Sequence, residues 1–400
     1  IFAKIIYSRD VKIEDINKPI FLIASLVGLT PHSVKFSKSK QIFTVIPKSI
    51  YLNSLCSFTV MLILILFGFF HVRDVLFSAE KPQFNNEVTT QLNYILEFTN
   101  FDLFCTIAYV CAFINRARYV RILNMIVSTW KRIPSSKKSR LILEDLYLKR
   151  NLTLIGICLT IIAQLSINLS RKEGAWKRLL VIFTFNIPQT IQFILHALYT
   201  MLVITVTAIL RNINAHCKFT DNEEHSKDST FYEVKPKVKK MTLRQMELVY
   251  MRVFDMKIDI NKTFEGPMLV SIMQSFHALV SEAHILYHGI VVDRDLTLHE
   301  LFNCFSWISY QLIKLFSLAY SGSALKLEAI KTGQFLHCIP TENKDLRWLM
   351  EVQHFSTLLK YKSVEIDLYG FFPIDATLLF NIFASATMYL IILVQFDSRH

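Results

Sequence analysis

Twenty-one consecutive residues from Ala376 to Phe396 carry no charge, and as an α-helix they measure about 30 Å, the thickness of a bilayer's hydrocarbon. Six further apolar runs precede it, near Ser49–Val72, Leu92–Asn115, Asn151–Ser170, Leu179–Leu210, Gly266–Val292 and Leu301–Leu325, the second interrupted by Glu97 and Asp102, the fifth by Glu282 and the sixth by Lys314. Lipid offers no partner for backbone N–H and C=O groups, so a chain with seven such runs is constrained to a bundle of membrane helices. Composition agrees: the chain is 52% apolar and only 19% charged, with a mean hydropathy of +0.36. One all-α membrane domain is expected rather than several soluble ones.

The net charge of +12 would point a soluble protein towards nucleic acid. Here the cations crowd alternate connections: 35 of the 44 Lys and Arg residues precede run one or fall between runs two and three, four and five, and six and seven. Basic loops stay in the cytosol, which predicts a cytoplasmic N-terminus, an extracellular C-terminus and no nucleic-acid role. Arg171, Lys172, Lys177 and Arg178 dissent, but one loop does not outweigh the rest. A G-protein-coupled receptor would place its N-terminus outside, and the orientation argues against it. Nothing near Ile1 has the charge, apolar run and cleavage site of a signal peptide, so the first run is expected to direct insertion. With no cysteine pair in the outer loops, no disulfides are expected.

The expected organisation is a cytoplasmic segment 1–48 with a short re-entrant or interfacial helix near Ile20–Val27, helices one to six over 49–325, a cytoplasmic helix in 326–375, and a last helix in 376–400. Run four holds 32 uncharged residues, about 48 Å as a helix, so it tilts or continues into the cytoplasm, and Pro188 is placed to kink it. Apolar residues recur at three and four from Leu243 to Ile260, predicting a helix that leads into run five, and Leu346, Leu349, Phe355 and Leu359 form a second stripe. Such extensions in 211–265 and 326–375 could bury their stripes against each other or against a neighbouring subunit, as a subunit-packing domain, or else lie on the membrane surface. Thr220–Lys240 has mixed charge and few large apolar residues, the composition of a disordered linker.

Polar residues in apolar runs are costly and face a cavity, a pore or one another. In run five Gln274, His277, Ser281, His284 and His288 step by three and four along one face, beside Glu282. Run three carries Thr160, Gln164 and Asn168, run four Asn186, Gln189, Gln192 and His196, and run six Asn303, Trp307, Tyr310 and Gln311. Under the predicted topology these converge in the outer half of the membrane, as in a small-molecule pocket, although interhelical hydrogen bonding alone would also explain such stripes. Amides, imidazoles and rings suit a sugar or polyol; Glu282 with the same rings suits a cationic alkaloid. An intramembrane zinc hydrolase is an alternative, with His284 and His288 four apart and His196 or His277 as third ligand. With only nine Gly, and with no nucleophile triad or phosphate loop, an enzyme or a cofactor is otherwise not expected.

Tyr389, the aliphatic Leu390–Val394, Gln395 and Phe396 resemble the C-terminal signature of insect gustatory receptors, with Met388 where that family carries Thr. Tyr369–Asp375 resembles the segment leading into that helix, and Leu26–Pro31 its N-terminal pattern. The resemblance implies a tastant-gated, non-selective cation channel of the plasma membrane, a homotetramer or a hetero-oligomer with related receptors. Monovalent and divalent cations would pass a pore lined by the last helix, through Tyr389, Ile392 and an outer gate at Gln395 and Phe396. Ligand would bind in the outer halves of the other helices. An odorant receptor of the same superfamily would share that architecture, but the polar pocket argues against apolar, volatile ligands. Glu365, Asp367 and Asp375 either attract cations at the cytoplasmic mouth or form a solvated loop face.

Overall fold

A computed structural model describes residues 11–30, 34–77, 88–170, 174–224, 241–292, 297–339 and 345–397. Its elements are α1 (Ile13–Ile16), α2 (Lys18–Leu26), the hairpin β1 (Val34–Ser37) and β2 (Ile42–Val45), α3 (Pro47–Phe77), α4 (Val88–Ile114), α5 (Arg116–Arg132) and α6 (Lys137–Leu169). There follow α7 (Ala175–Val181), a π-helical turn (Ile182–Asn186), α8 (Ile187–Glu224), α9 (Leu243–Tyr287) with a π turn at His288–Val292, and α10 (Leu298–His337). The chain closes with α11 (Leu346–Tyr361), β3 (Asp367–Leu368), β4 (Phe372–Pro373) and α12 (Ala376–Asp397).

Five of the expected spans, at residues 50–74, 93–114, 137–169, 175–216 and 376–395, are helices both long and apolar enough to cross a membrane. The helices of runs five and six, α9 and α10, are long enough but carry the polar residues described above, which lower their hydropathy. Local signals set the starts of the long helices. Ser136, Thr242 and Thr297 each cap a helix through a reciprocal box with Ser139, Gln245 and Glu300, satisfying backbone N–H groups that have no partner inside the helix.

From Leu198 to Ile213 nearly every side chain of α8 is buried whichever way it points, so the helix is the axis of the bundle. Around it pack α2, α4, α6, α9 and α10. α3, α6 and α12 instead leave rows of apolar side chains exposed, such as Leu55, Phe58 and Leu62 on α3 and Leu152, Ile155 and Leu159 on α6. In water such faces would be untenable, and in lipid they are the solvent-compatible surface.

Helix α8 continues past the apolar run to Glu224, and α9 begins at Leu243. Of the expected linker, 220–224 is helical, and 225–240 lies outside the described residues. These extensions pack on one another within the chain: Met246, Val249, Tyr250, Val253, Met256 and Ile260 are buried, and Tyr250 meets Phe355 of α11 edge-on. Asn214 of α8 donates to the Glu328 carboxylate of α10 at 3.0 Å, and Arg121 of α5 pairs bidentately with Asp259 of α9. The stripe from Leu243 thus finds a partner inside its own chain.

The motif Tyr369–Asp375 forms a tight hairpin, with Tyr369 and Gly370 at φ 51° and 72° and Asp367 opposite Pro373. It delivers Asp375 to the start of α12, where its carboxylate accepts from the Thr377 backbone at 2.9 Å and pairs with Lys326 at 3.3 Å. Gly322 of α10 lies where a Cβ would overlap the Ile374 carbonyl, so only glycine lets α10 approach the strap leading into α12.

Candidate functional site

Pro188 sets the site's geometry. It has no N–H for the Thr184 carbonyl, and one turn earlier the backbone widens so that the Ile187 N–H bonds the Ile182 carbonyl five residues back. The expected disturbance at Pro188 therefore takes the form of a π turn, which carries Phe185 and Asn186 towards α4, α6 and α10.

There they close a chamber of about 50 Å³, walled by Tyr94 of α4, Gln164, Ile167 and Asn168 of α6, Phe185, Asn186 and Gln189 of the π turn and α8, and Asn303, Ser306 and Trp307 of α10. Aromatic rings build one side: Phe185 meets Trp307 edge-on at 6.1 Å and Tyr94 at 5.1 Å. Tyr94 is held from behind. The Thr184 hydroxyl is given to the Leu180 carbonyl, so it accepts from His71 Nδ1 at 2.8 Å, leaving His71 Nε2 to accept from the Tyr94 hydroxyl at 2.7 Å.

Among the described residues, no carboxylate, ammonium, guanidinium or imidazole lines this chamber. Its polar wall is amide: Gln164 Nε2 and Asn186 Nδ2 are donors, and Asn168 Oδ1 and Gln189 Oε1 acceptors, with no hydrogen-bond partner among the described residues. A buried amide atom without a partner costs about 1–3 kcal/mol. Four of them around one space, two of each sense, form a wall complementary to hydroxyl or carbonyl groups.

Six of the residues singled out in the sequence, Gln164, Asn168, Asn186, Gln189, Asn303 and Trp307, lie on this wall. A second set assembles one turn further along α8. Lys314 of α10, fully buried, donates to Gln192 Oε1 at 2.6 Å and to Gln274 Oε1 at 2.9 Å. Gln192 Nε2 donates in turn to Ser271 at 2.8 Å, which also bonds His196 Nε2 at 2.6 Å. Tyr310 ties the two sets together, its hydroxyl donating to the Gln189 carbonyl at 2.6 Å. Ser281, Glu282, His284 and Gln311 are buried but do not line the chamber. His284 and His288 lie against each other, ring centroids 4.8 Å apart. Among the described residues no group of three His, Cys, Asp or Glu converges on a metal position, and the zinc hydrolase has no support here.

On α12, Tyr389 and Ile392 are about half exposed and Gln395 is exposed, while Tyr389 also meets Phe276 of α9 at 6.3 Å. The Phe396 side chain lies outside the described residues. Tyr94 and Phe185 belong to the wall but not to the sequence reading, since a ring in an apolar run carries no signal that separates wall from core.

The bundle has a known counterpart. The olfactory receptor OR5 of Machilis hrabei, solved in complex with eugenol, matches 95% of this chain and 97% of its own with a TM-score of 0.67 at 12% identity. A second structure of that receptor gives 0.65 at 11%. At such identities the likeness is one of fold alone. Residues 18–400 match the family model of the 7tm chemosensory receptors, and the chain belongs to that family. Among curated Drosophila melanogaster proteins it is 30% identical to gustatory and pheromone receptor 32a over 30% of this chain and 26% of that one. It is 25% identical to putative gustatory receptor 28b over 54% and 51%. In these alignments the chain spans about half or less of its relatives' length.

Proposed function

We propose that this receptor is a ligand-gated cation channel, opened by a neutral tastant whose hydrogen-bonding groups are held by the amide chamber. The chamber itself carries the reading: walled by rings, with no charged group and four amide atoms without a partner among the described residues. That composition favours a neutral ligand, sugars and polyols included, over a cationic alkaloid, because Glu282 is not on the wall.

In this reading the N-terminus is cytoplasmic, the C-terminus extracellular, and seven helices cross the plasma membrane, with the chamber in the outer half. Four copies, identical or mixed with related receptors, surround a path lined by α12. Tyr389, Ile392, Gln395 and Phe396 face or close it, and the cytoplasmic ends of α8 to α11 form the anchor. Support comes from the apolar face of α12, exposed in a single chain at Phe380, Met388, Ile391 and Ile392, and from the strap linking it to α10 at Gly322. Monovalent and divalent cations would pass when the ring at Phe396 parts, an apolar constriction gating by dewetting.

Recording currents from cells that display the chain, under sugars, polyols and alkaloids, tests this. A neutral class is expected to evoke cation current, and Phe396→Ala to raise the resting conductance. Silence to every class from surface-exposed protein, with no leak in Phe396→Ala, would refute it.

A further inference from the structure

The amide chamber shares two of its walls with a second cavity. A groove of about 330 Å³ runs between α2, α3, α6 and α8, lined by Val27, Val60, Ile161, Ile187 and Ile191 among others, and Gln164 and Asn186 line both spaces. Apart from these two amides its polar group is Thr190, whose hydroxyl is already given to the Asn186 carbonyl at 2.7 Å. Among the described residues, no charged side chain lines either cavity. Asn186 is only 8% exposed, and its Nδ2, like Gln164 Nε2, has no protein partner. The donors therefore sit where the polar chamber meets the apolar groove.

In the seven-span reading the groove opens at the bundle's lipid face. Its residues Ile161 to Leu165 stand about 6–12 Å along α6 from that helix's end, and the adjoining Leu26 and Ile162 are 70% and 60% exposed. Chamber and groove also differ in capacity. Ligand sites usually enclose about 300–1,000 Å³, which a chamber of about 50 Å³ does not reach alone. Joined to the groove, it does.

We propose that the physiological ligand is a neutral amphiphile: a hydroxyl or carbonyl head bound by the chamber amides, and an unbranched apolar chain lying in the groove, reached sideways from the bilayer. This rests on the chamber being the ligand site. A sugar filling both spaces would press hydroxyls against aliphatic walls without partners, and a cation would find no carboxylate. An amphiphile satisfies each cavity with the chemistry that cavity offers.

The test uses the full chain and 1-alkanols as probes. Purified receptor in lipid nanodiscs, irradiated with a diazirine-bearing 1-dodecanol, is expected to carry label at Ile161, Ile187 or Val60, removed by excess 1-dodecanol but not by glycerol. Label spread evenly over the lipid-facing residues of α3 and α6, without competition, would overturn the proposal. In cells, potency should rise about fourfold per added methylene from butanol upwards, and Ile161→Trp should flatten that series; Ile187→Phe serves if the first variant fails to reach the surface. Membrane partitioning alone would leave the series intact in both variants, which also overturns the proposal. If glucose or glycerol opens the channel while alkanols neither label competitively nor activate, the amphiphile is wrong and the chamber reading stands. If no neutral compound of any kind acts or labels, both fall.

Discussion

Gln189 and Gln192 sit three residues apart on α8, yet the structure uses them in opposite ways. Gln192 is saturated: its amide nitrogen donates to Ser271 at 2.8 Å and to Gln274 at 3.3 Å, and its oxygen accepts from Lys314 at 2.6 Å. The Gln189 side-chain oxygen has no partner in the protein and faces the chamber. Identical chemistry at one helical turn's separation thus makes a fastener in one place and a binding wall in the other. What distinguishes them is the neighbouring helix: α9 brings Ser271 and Gln274 to Gln192, whereas beside Gln189 the π turn holds the wall open. Polar residues inside a membrane bundle are informative only once their partners are known.

The contrast breaks first at Lys314. Its ammonium has two amide acceptors and, beyond them, the Tyr310 ring at 4.9 Å. Lys314→Met preserves length but leaves the buried Gln192 oxygen without a donor, at about 1–3 kcal/mol, and the Gln274 oxygen with only the 3.3 Å bond from Gln192. Surface display is expected to collapse, read by size-exclusion of a fluorescent fusion. Normal display with an altered ligand response would instead make Lys314 a binding residue and erase the distinction. Next comes the paired test. Gln192→Leu removes one acceptor of a buried charge and should lower stability by about 2–3 kcal/mol. Gln189→Leu should leave stability unchanged or raised, because it deletes a group that had no partner, while weakening the response to neutral ligands about fivefold, the worth of one hydrogen bond. Thermal-shift curves and dose–response curves on the same two variants decide it.

How far this was legible in the sequence follows from the same pair. The stripe Asn186, Gln189, Gln192 and His196 is visible as a three- and four-residue period, and Asn168 and Gln164 likewise on α6. Its division into wall and fastener is not, because it depends on which helix stands opposite. Pro188 signals a disturbance, but only backbone geometry shows that a π turn turns Asn186 and Phe185 inward. The extension from Leu243 reads correctly as a helix, while its burial against α11 rather than on a lipid surface rests on contacts far apart in sequence, such as Tyr250 with Phe355. Run six is legible despite Lys314, since a single charge interrupts a period without destroying it.

A smaller effect is expected at the rim. Tyr94→Phe keeps the ring against Phe185 and removes only the hydroxyl that His71 accepts, so the aromatic wall persists while its backing loosens. The dose–response curve should move by about two- to fivefold, the scale of one neutral hydrogen bond. An unchanged curve would mean that Phe185 and Trp307 position the wall without help.

The smallest effect belongs to the charge at the membrane edge, which isolates burial as the cause of the largest. Lys326 lies on α10, twelve residues beyond Lys314, and pairs with Asp375 and Glu365, but it is about one-third exposed. Hydrogen bonds from Thr377 and the Lys326 ammonium hold the Asp375 carboxyl below its ordinary range, against the opposing push of its burial. A carboxyl depressed in the folded state stabilises fully above its unfolded pKa and loses that contribution as pH falls through the folded value. Stability should therefore be flat near neutrality and decline only in acid, below about pH 4. Lys326→Met should shift the thermal midpoint slightly, by no more than about 1 kcal/mol, and Asp375→Asn by about 1 kcal/mol through a weakened helix cap. Should Lys326→Met prove as damaging as Lys314→Met, the injury would come from losing a positive charge anywhere on α10, and burial beneath the chamber would no longer explain it.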